Sequence, residues 1–175
     1  MSDASARVEN LAGAFATTVG RAIDRAIADE TGLGATEAAA LIAVGGYAHG
    51  ARQDVLVAGL EISQPGAARA VERLADRGLL TRRRGARDGR ETQLELTAKG
   101  RRAVAHILVA REQVLSGVLE PLNPTERERF GKALETALRY MTDDRVTARR
   151  ICRLCDGEAC GHPAHCPVTR AADAA

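Results

Sequence analysis

The stretch SQPGAARAVERLADRGLLTRRRGARDGRETQLELTAKG, Ser63 to Gly100, decides the fold. Ser63 is a good helix N-cap, because its hydroxyl can accept a hydrogen bond from an otherwise unpaired first-turn amide. Pro65 falls in the first turn, where its missing N–H costs little. Ala67, Ala70, Val71 and Leu74 recur at three- and four-residue steps and so share one face. Arg69 and Arg73 lie on the opposite face, and Gly66 leaves little bulk near the start of it. Gly78 is placed to end the helix. A helix with an apolar back and a small, arginine-bearing front suits the major groove of DNA, with Ser63 and Gln64 at its leading end.

After the helix the chain turns basic. Leu79 and Leu80 start a strand, followed by Arg82, Arg83, Arg84, Arg87 and Arg90, with Gly85 and Gly89 permitting a tight turn. Thr92 to Thr97 (TQLELT) alternates polar and apolar residues, which predicts a half-buried second strand. The product is a hairpin tipped with arginine, whose planar fork suits phosphates and a narrow minor groove. Between Gln64 and Arg102 stand eleven Lys or Arg and five Asp or Glu, a local net of +6 in a chain whose net charge is +2. The rest of the chain is therefore acidic by 4, and the positive charge is concentrated on this segment.

These residues resemble the winged helix–turn–helix of the MarR family of bacterial transcription regulators. The likeness is carried by S-Q-P-x-A-x-R-x-V-x-R-L at Ser63 to Leu74 and R-G-L-L at Arg77 to Leu80. It continues in D-x-R at Asp88 to Arg90 and L-T-x-K-G at Leu96 to Gly100. The resemblance implies a mainly α fold with a small β wing, and N- and C-terminal helices that pair two copies. It implies a wing in which Asp88 orients Arg90 into the minor groove. It also implies a homodimer on double-stranded DNA with a pseudo-palindromic operator, and a small-molecule effector. The DNA-binding residues expected are Ser63, Gln64, Arg69, Arg73, Arg84, Arg87, Asp88 and Arg90.

The flanking sequence fits that frame. Val8, Leu11, Phe15, Val19, Ile23 and Ile27 form a helical stripe over residues 5–29, ended by Gly32 and Gly34. Thr36 is expected to cap a second helix reaching about His49. Gly45-Gly46 within it costs roughly 1 kcal/mol per glycine relative to alanine, which a close helix crossing would explain. Arg52 to Leu60 is the positioning helix, and Glu61-Ile62 the turn. Ala98 to Leu119 is a long helix that Pro121 stops. A last helix follows to about Asp143, with Thr125 and Glu128 read as its capping box. The division is 1–34 dimerisation helix, 35–100 winged helix–turn–helix, 101–145 dimerisation helices and 146–175 a cysteine-rich tail.

All four cysteines lie in that tail. Cys152, Cys155, Cys160 and Cys166 give C-x₂-C-x₄-C-x₅-C, with His162 and His165 interleaved and Gly157, Gly161 and Pro163 supplying turns. Four soft ligands this close predict a metal site. A closed tetrahedral zinc site is one reading and an iron–sulfur cluster a second. Reversible disulfides and an unstructured reduced tail are the others. With four thiolates available the histidines are expected not to ligate. Arg149, Arg150 and Arg153 are either surface charges or an aid to thiol ionisation.

Composition bounds the remainder. Aromatic residues are 2% and Trp is absent, so the core must be aliphatic. No apolar run is long enough for a membrane span. The stretch MSDASARVEN has neither a basic start nor an apolar run, so no signal peptide and a cytoplasmic location are expected. No phosphate loop, carboxylate pair or nucleophile–base pair is evident, which argues against an enzyme. Two functions remain: a dimeric DNA-binding regulator, a repressor, with a metal-binding tail; or an interaction module whose tail docks a partner protein.

Overall fold

The computed structural model describes residues 3–46, 53–84 and 92–175. The helices are α1 (Asp3–Thr31), α2 (Ala35–Gly46), α3 (Gln53–Leu60), α4 (Gln64–Asp76), α5 (Ala98–Leu119), α6 (Pro124–Tyr140), α7 (Arg145–Ile151) and α8 (Pro167–Ala174). Two antiparallel strands, β1 (Leu80–Arg84) and β2 (Thr92–Leu96), pair between α4 and α5, with Leu80 opposite Leu96 and Arg82 opposite Leu94. The mainly helical winged fold expected from the sequence is the one found. No helix among the described residues is long and apolar enough to cross a membrane.

The core is aliphatic. Ile27 of α1 and Leu33, just after it, meet Leu41 and Val44 of α2, Leu56 of α3, and Val71 and Leu74 of α4. Leu80 and Leu94 of the wing and Ile107 of α5 close it. α1 packs along α5, and Glu30 Oε1 meets His106 Nδ1 at 2.6 Å. The first half of α1 leaves this core. Val8, Leu11 and Phe15 are 65%, 52% and 37% exposed, although Phe15 stacks edge-on against Phe130 of α6 at 5.5 Å.

Three local expectations need correction. The helix α6 is capped by Asn123, not Thr125. Asn123 Oδ1 accepts from Glu126 N–H at 3.0 Å, and Glu126 Oε2 accepts from Asn123 N–H at 3.0 Å. Pro124 occupies the first turn and holds the residue before it in extended backbone, which makes Asn123 the cap. α2 begins at Ala35, so Thr36 lies inside it; the Gly34 N–H instead donates to Glu37 Oε2 at 3.2 Å. Gly45 is explained by a strand rather than by a helix crossing: a Cβ there would stand 3.0 Å from Leu96 Cδ1.

Candidate nucleic-acid interface and cysteine cluster

The recognition helix α4 forms as its sequence dictates. Ser63 caps it, accepting from Gly66 N–H at 3.2 Å. Ala67, Ala70, Val71 and Leu74 are all buried, so Gln64, Arg69 and Arg73 are left on the open side. Its end is a Schellman closure. The Gly78 N–H donates to Ala75 O at 2.8 Å and the Leu79 N–H to Leu74 O at 2.9 Å, with Gly78 at φ +67°.

Side chains from distant segments then fix the angle of this helix. Arg77 donates through Nη1 to Gly32 O at 2.9 Å and through Nη2 to Thr31 O at 3.0 Å, tying the end of α4 to the last carbonyls of α1. Arg73 Nε pairs with Glu37 Oε1 at 2.5 Å. The Glu37 carboxyl would be raised by burial, but the Arg73 side chain, the Gly34 amide and Arg77 hold it below the usual carboxylate range. Arg69 is exposed.

The wing is anchored at its base by the L-T-x-K-G segment. Thr97 Oγ1 donates to Gly78 O at 2.8 Å and accepts from Gly100 N–H at 2.9 Å, capping α5. Lys99 Nζ donates to Arg77 O at 2.8 Å. Any Cβ on Gly100 would fall 1.9 Å from Leu79 O, so only glycine lets α5 pass this close to the start of β1. Along the strands, Leu80 and Leu94 are buried, whereas Arg82 is exposed and Arg83 pairs with Glu95 at 3.0 Å. Arg84 ends β1, opposite Thr92. Arg87, Asp88 and Arg90, with the turn glycines Gly85 and Gly89, lie outside the described residues, as do His49 and Arg52.

Sequence reading missed Glu37, Arg77, Thr97, Lys99 and Gly100 as positioning residues. The last three had a signal in the quoted L-T-x-K-G motif. Glu37 had none, because its partner lies 36 positions away.

The tail is folded, not an unstructured arm. Asp144 caps α7, accepting from Thr147 N–H at 2.7 Å. The chain then turns through Gly161 at φ +68° into α8, and Arg145 Nη2 joins Asp173 Oδ1 at 2.9 Å across the two helices. Cys152, Cys166 and Val168 are buried together with Leu138, Ala148 and Ile151 in a small second core. None of the four cysteines is joined in a disulfide, and the Cys160 and Cys166 sulfurs stand 3.9 Å apart. Among the described residues no three His, Cys, Asp or Glu side chains converge closely enough, as they stand, to hold an ion.

The thiols nonetheless feel one another. The hydrogen bond shared with Cys155, with burial and the remaining thiols, pushes Cys152 far up; the same bond, helped by Arg111, brings Cys155 down to about 7. Burial and Cys166 push Cys160 up to about 11. Burial also opposes ionisation of Cys166, but the Thr169 hydroxyl and the first-turn amides of α8 hold it below its ordinary value, even though no amide makes a capping bond to its sulfur. The arginine beside these thiols is thus Arg111 of α5, which sequence reading missed. Arg150 is committed elsewhere, to Ala58 and Glu61. His162 Nδ1 meets Thr169 Oγ1 at 2.9 Å.

A capped helix with a buried back and a polar front, followed by a two-stranded basic wing, defines the winged helix–turn–helix class. Residues 31–91 match the model described as MarR family, and solved structures share the fold. A probable transcriptional regulator from Pseudomonas aeruginosa is 25% identical, with a TM-score of 0.56 over 74% of this chain and 98% of its own. CouR from Rhodococcus jostii RHA1, solved with p-coumaroyl-CoA, is 20% identical, with a TM-score of 0.61 over 78% and 95%. A mutant of MepR from S. aureus, solved with an oligodeoxyribonucleotide, is 17% identical, with a TM-score of 0.59 over 75% and 95%. None of the curated proteins matches the sequence. Each of the three structures leaves more than a fifth of this chain without a counterpart.

Proposed function

We propose that this chain is a MarR-family transcriptional regulator, a repressor that binds a pseudo-palindromic operator as a homodimer. The observation that carries the reading is α4. Its back is buried, its cap is formed, and its front, with Gln64 and Arg69, is open beside a basic wing. In this reading Ser63, Gln64 and Arg69 meet the major groove, and Arg73 reaches a phosphate from its anchor on Glu37. Arg84, Arg87 and Arg90 line the wing, with Asp88 orienting Arg90. The DNA in the MepR structure and the acyl-CoA in the CouR structure support a regulator of this type, released from DNA by a small-molecule effector.

The tail is read as a Cys₄ site for one soft metal ion, zinc first and an iron–sulfur cluster second. Its donor chemistry supports this, and so does one distance. A tetrahedron with metal–sulfur bonds of about 2.3 Å has sulfur–sulfur edges of about 3.8 Å, and Cys160 and Cys166 stand 3.9 Å apart. Cys152 and Cys155 would supply the other two ligands, which requires the four thiols to gather closer than they stand. No described contact favours the tail as a docking arm for another protein.

The test is selection of bound fragments from the genome of the source organism with the full chain, followed by footprinting. A two-fold symmetric protected site is expected. Retention of DNA without sequence preference, or of none, would overturn the reading. Elemental analysis of anaerobically purified protein tests the tail, with about one zinc or a thiolate-ligated iron cluster per chain expected.

A further inference from the structure

The four-residue turn Cys152–Cys155 belongs to two cores at once. Its cysteines sit in the small core between α6, α7 and α8. The side chain of Leu154, between them, packs instead against the main core of the winged helix. Arg153, the other intervening residue, lines a narrow crevice with Val55, Leu56, Gly59 and Leu60 of α3. One turn before this, α7 lies directly on α3: a Cβ on Gly59 would touch Arg149 Cβ at 3.5 Å. Arg150 donates from Nε to Ala58 O at 3.2 Å and pairs through Nη1 with Glu61 Oε1 at 3.1 Å. Ala58 O belongs to the end of the positioning helix. Glu61 is the turn residue, at φ +54°, that sets the entry into α4. The tail thus holds the turn whose backbone aims the recognition helix, although nearly a hundred residues separate them in sequence.

We propose that the tail is a metal-controlled latch on the helix–turn–helix, closed when its four thiols gather around one soft metal ion. This deepens the metal-site reading above and rests on it. Drawing Cys152 and Cys155 to one ion fixes the two residues between them, so Leu154 and Arg153 are pressed onto α3 and Arg150 is held against the turn. Removing the ion frees the Cys152–Cys155 turn, loosens α7, and leaves Ala58 to Ser63 with fewer restraints. The recognition helix then loses a fixed angle, and DNA affinity falls with it.

The test is amide hydrogen exchange on the full chain, zinc-loaded and after removal of zinc by a chelator under reducing conditions, with zinc per chain measured in parallel. Peptides covering residues 57–63 are expected to exchange roughly three- to tenfold faster without zinc, the span expected for partly exposed charge-assisted bonds. In Arg150→Met, which keeps the apolar stem, zinc content is unchanged and the zinc-dependent difference at 57–63 disappears. One zinc per chain with unchanged exchange at 57–63 in the wild type would overturn the latch and leave the metal site standing. So would a full zinc response in Arg150→Met. A reduced chain that takes up neither zinc nor iron would overturn the metal site, and the metal-controlled latch with it.

Discussion

At Glu37 two effects oppose each other. Burial raises the carboxyl, while the Arg73 side chain, the Gly34 amide and Arg77 lower it, and the lowering wins. A carboxylate whose native pKa lies below its unfolded value adds stability above the unfolded value, here the ordinary 4.5, and loses it as pH falls through the lowered native value. Glu37→Gln is therefore expected to be less stable by about 1 kcal/mol near neutrality, a modest figure because Arg73 is half-exposed. That deficit should close in acid, as pH falls from the ordinary 4.5 through the lowered native value. Urea midpoints at neutral and acid pH measure it; a deficit that persists in acid would mean that Glu37 acts through packing and not charge. Gly100 makes a different demand, of space alone. The carbonyl that its Cβ would strike, Leu79 O, already accepts from Thr97 N–H at 3.1 Å. Gly100→Ala must move either α5 or the start of the wing, for an expected loss of about 1–3 kcal/mol. Thermal or denaturant unfolding checks this, and a neutral result would show that the junction yields easily.

In the proposed reading the recognition helix and the wing meet DNA with different chemistry, and substitution should separate them. Arg69 is exposed on the open face of α4. Arg69→Ala should cost about 1–3 kcal/mol at one base position and relax preference there. Arg90→Ala, in the segment whose sequence reads as the wing turn, should weaken binding to all sequences similarly and lower the slope of log affinity against log salt by about 0.9. Equal effects on cognate and random DNA for Arg69→Ala would remove it from base reading. The back of α4 was legible in the sequence, since cap, period and terminal glycine are all local and agree with one another. The cap of α6 was misread because Thr125 and Glu128 have the spacing of a capping box, whereas Pro124 already commits Asn123 to that place. The ties that aim α4 were not legible at all. Glu37 to Arg73, Arg77 to the end of α1 and Arg150 to the turn join residues 36 to 92 positions apart, and no periodicity encodes which carbonyl an arginine will meet. Of the cysteine cluster, the spacing gave the donors; that their turn also carries Leu154 into the main core depended on how α7 folds back.

Among the described residues, the exposed large apolar side chains lie on α1, α5 and α6 and just after α6. On α1, Val8, Leu11 and Phe15 keep helical spacing yet are exposed, and on α6 Leu134 and Tyr140 are 42% and 90% exposed. An amphipathic helix gains little by standing clear of a core, so these stripes ask for a partner. A second copy would supply one through a two-fold axis, and in such an interface every contact occurs twice. Burying one leucine contributes about 2 kcal/mol; counted twice, Leu11→Glu should weaken dimerisation roughly a thousandfold. Sedimentation over a concentration series reads this directly, and a dimer of unchanged strength would place this face of α1 outside the interface. The consequence reaches the DNA. A dimer holds two recognition helices to half-sites about 34 Å apart, whereas a monomer engages one. Leu11→Glu should thus keep a folded winged helix, with an unchanged unfolding transition for that unit. It should lose most operator affinity and show about half the wild-type salt slope, since half the phosphate contacts remain. A Leu11→Glu monomer with the full wild-type slope would mean that one chain alone makes every phosphate contact, and that the two-fold arrangement adds nothing to binding.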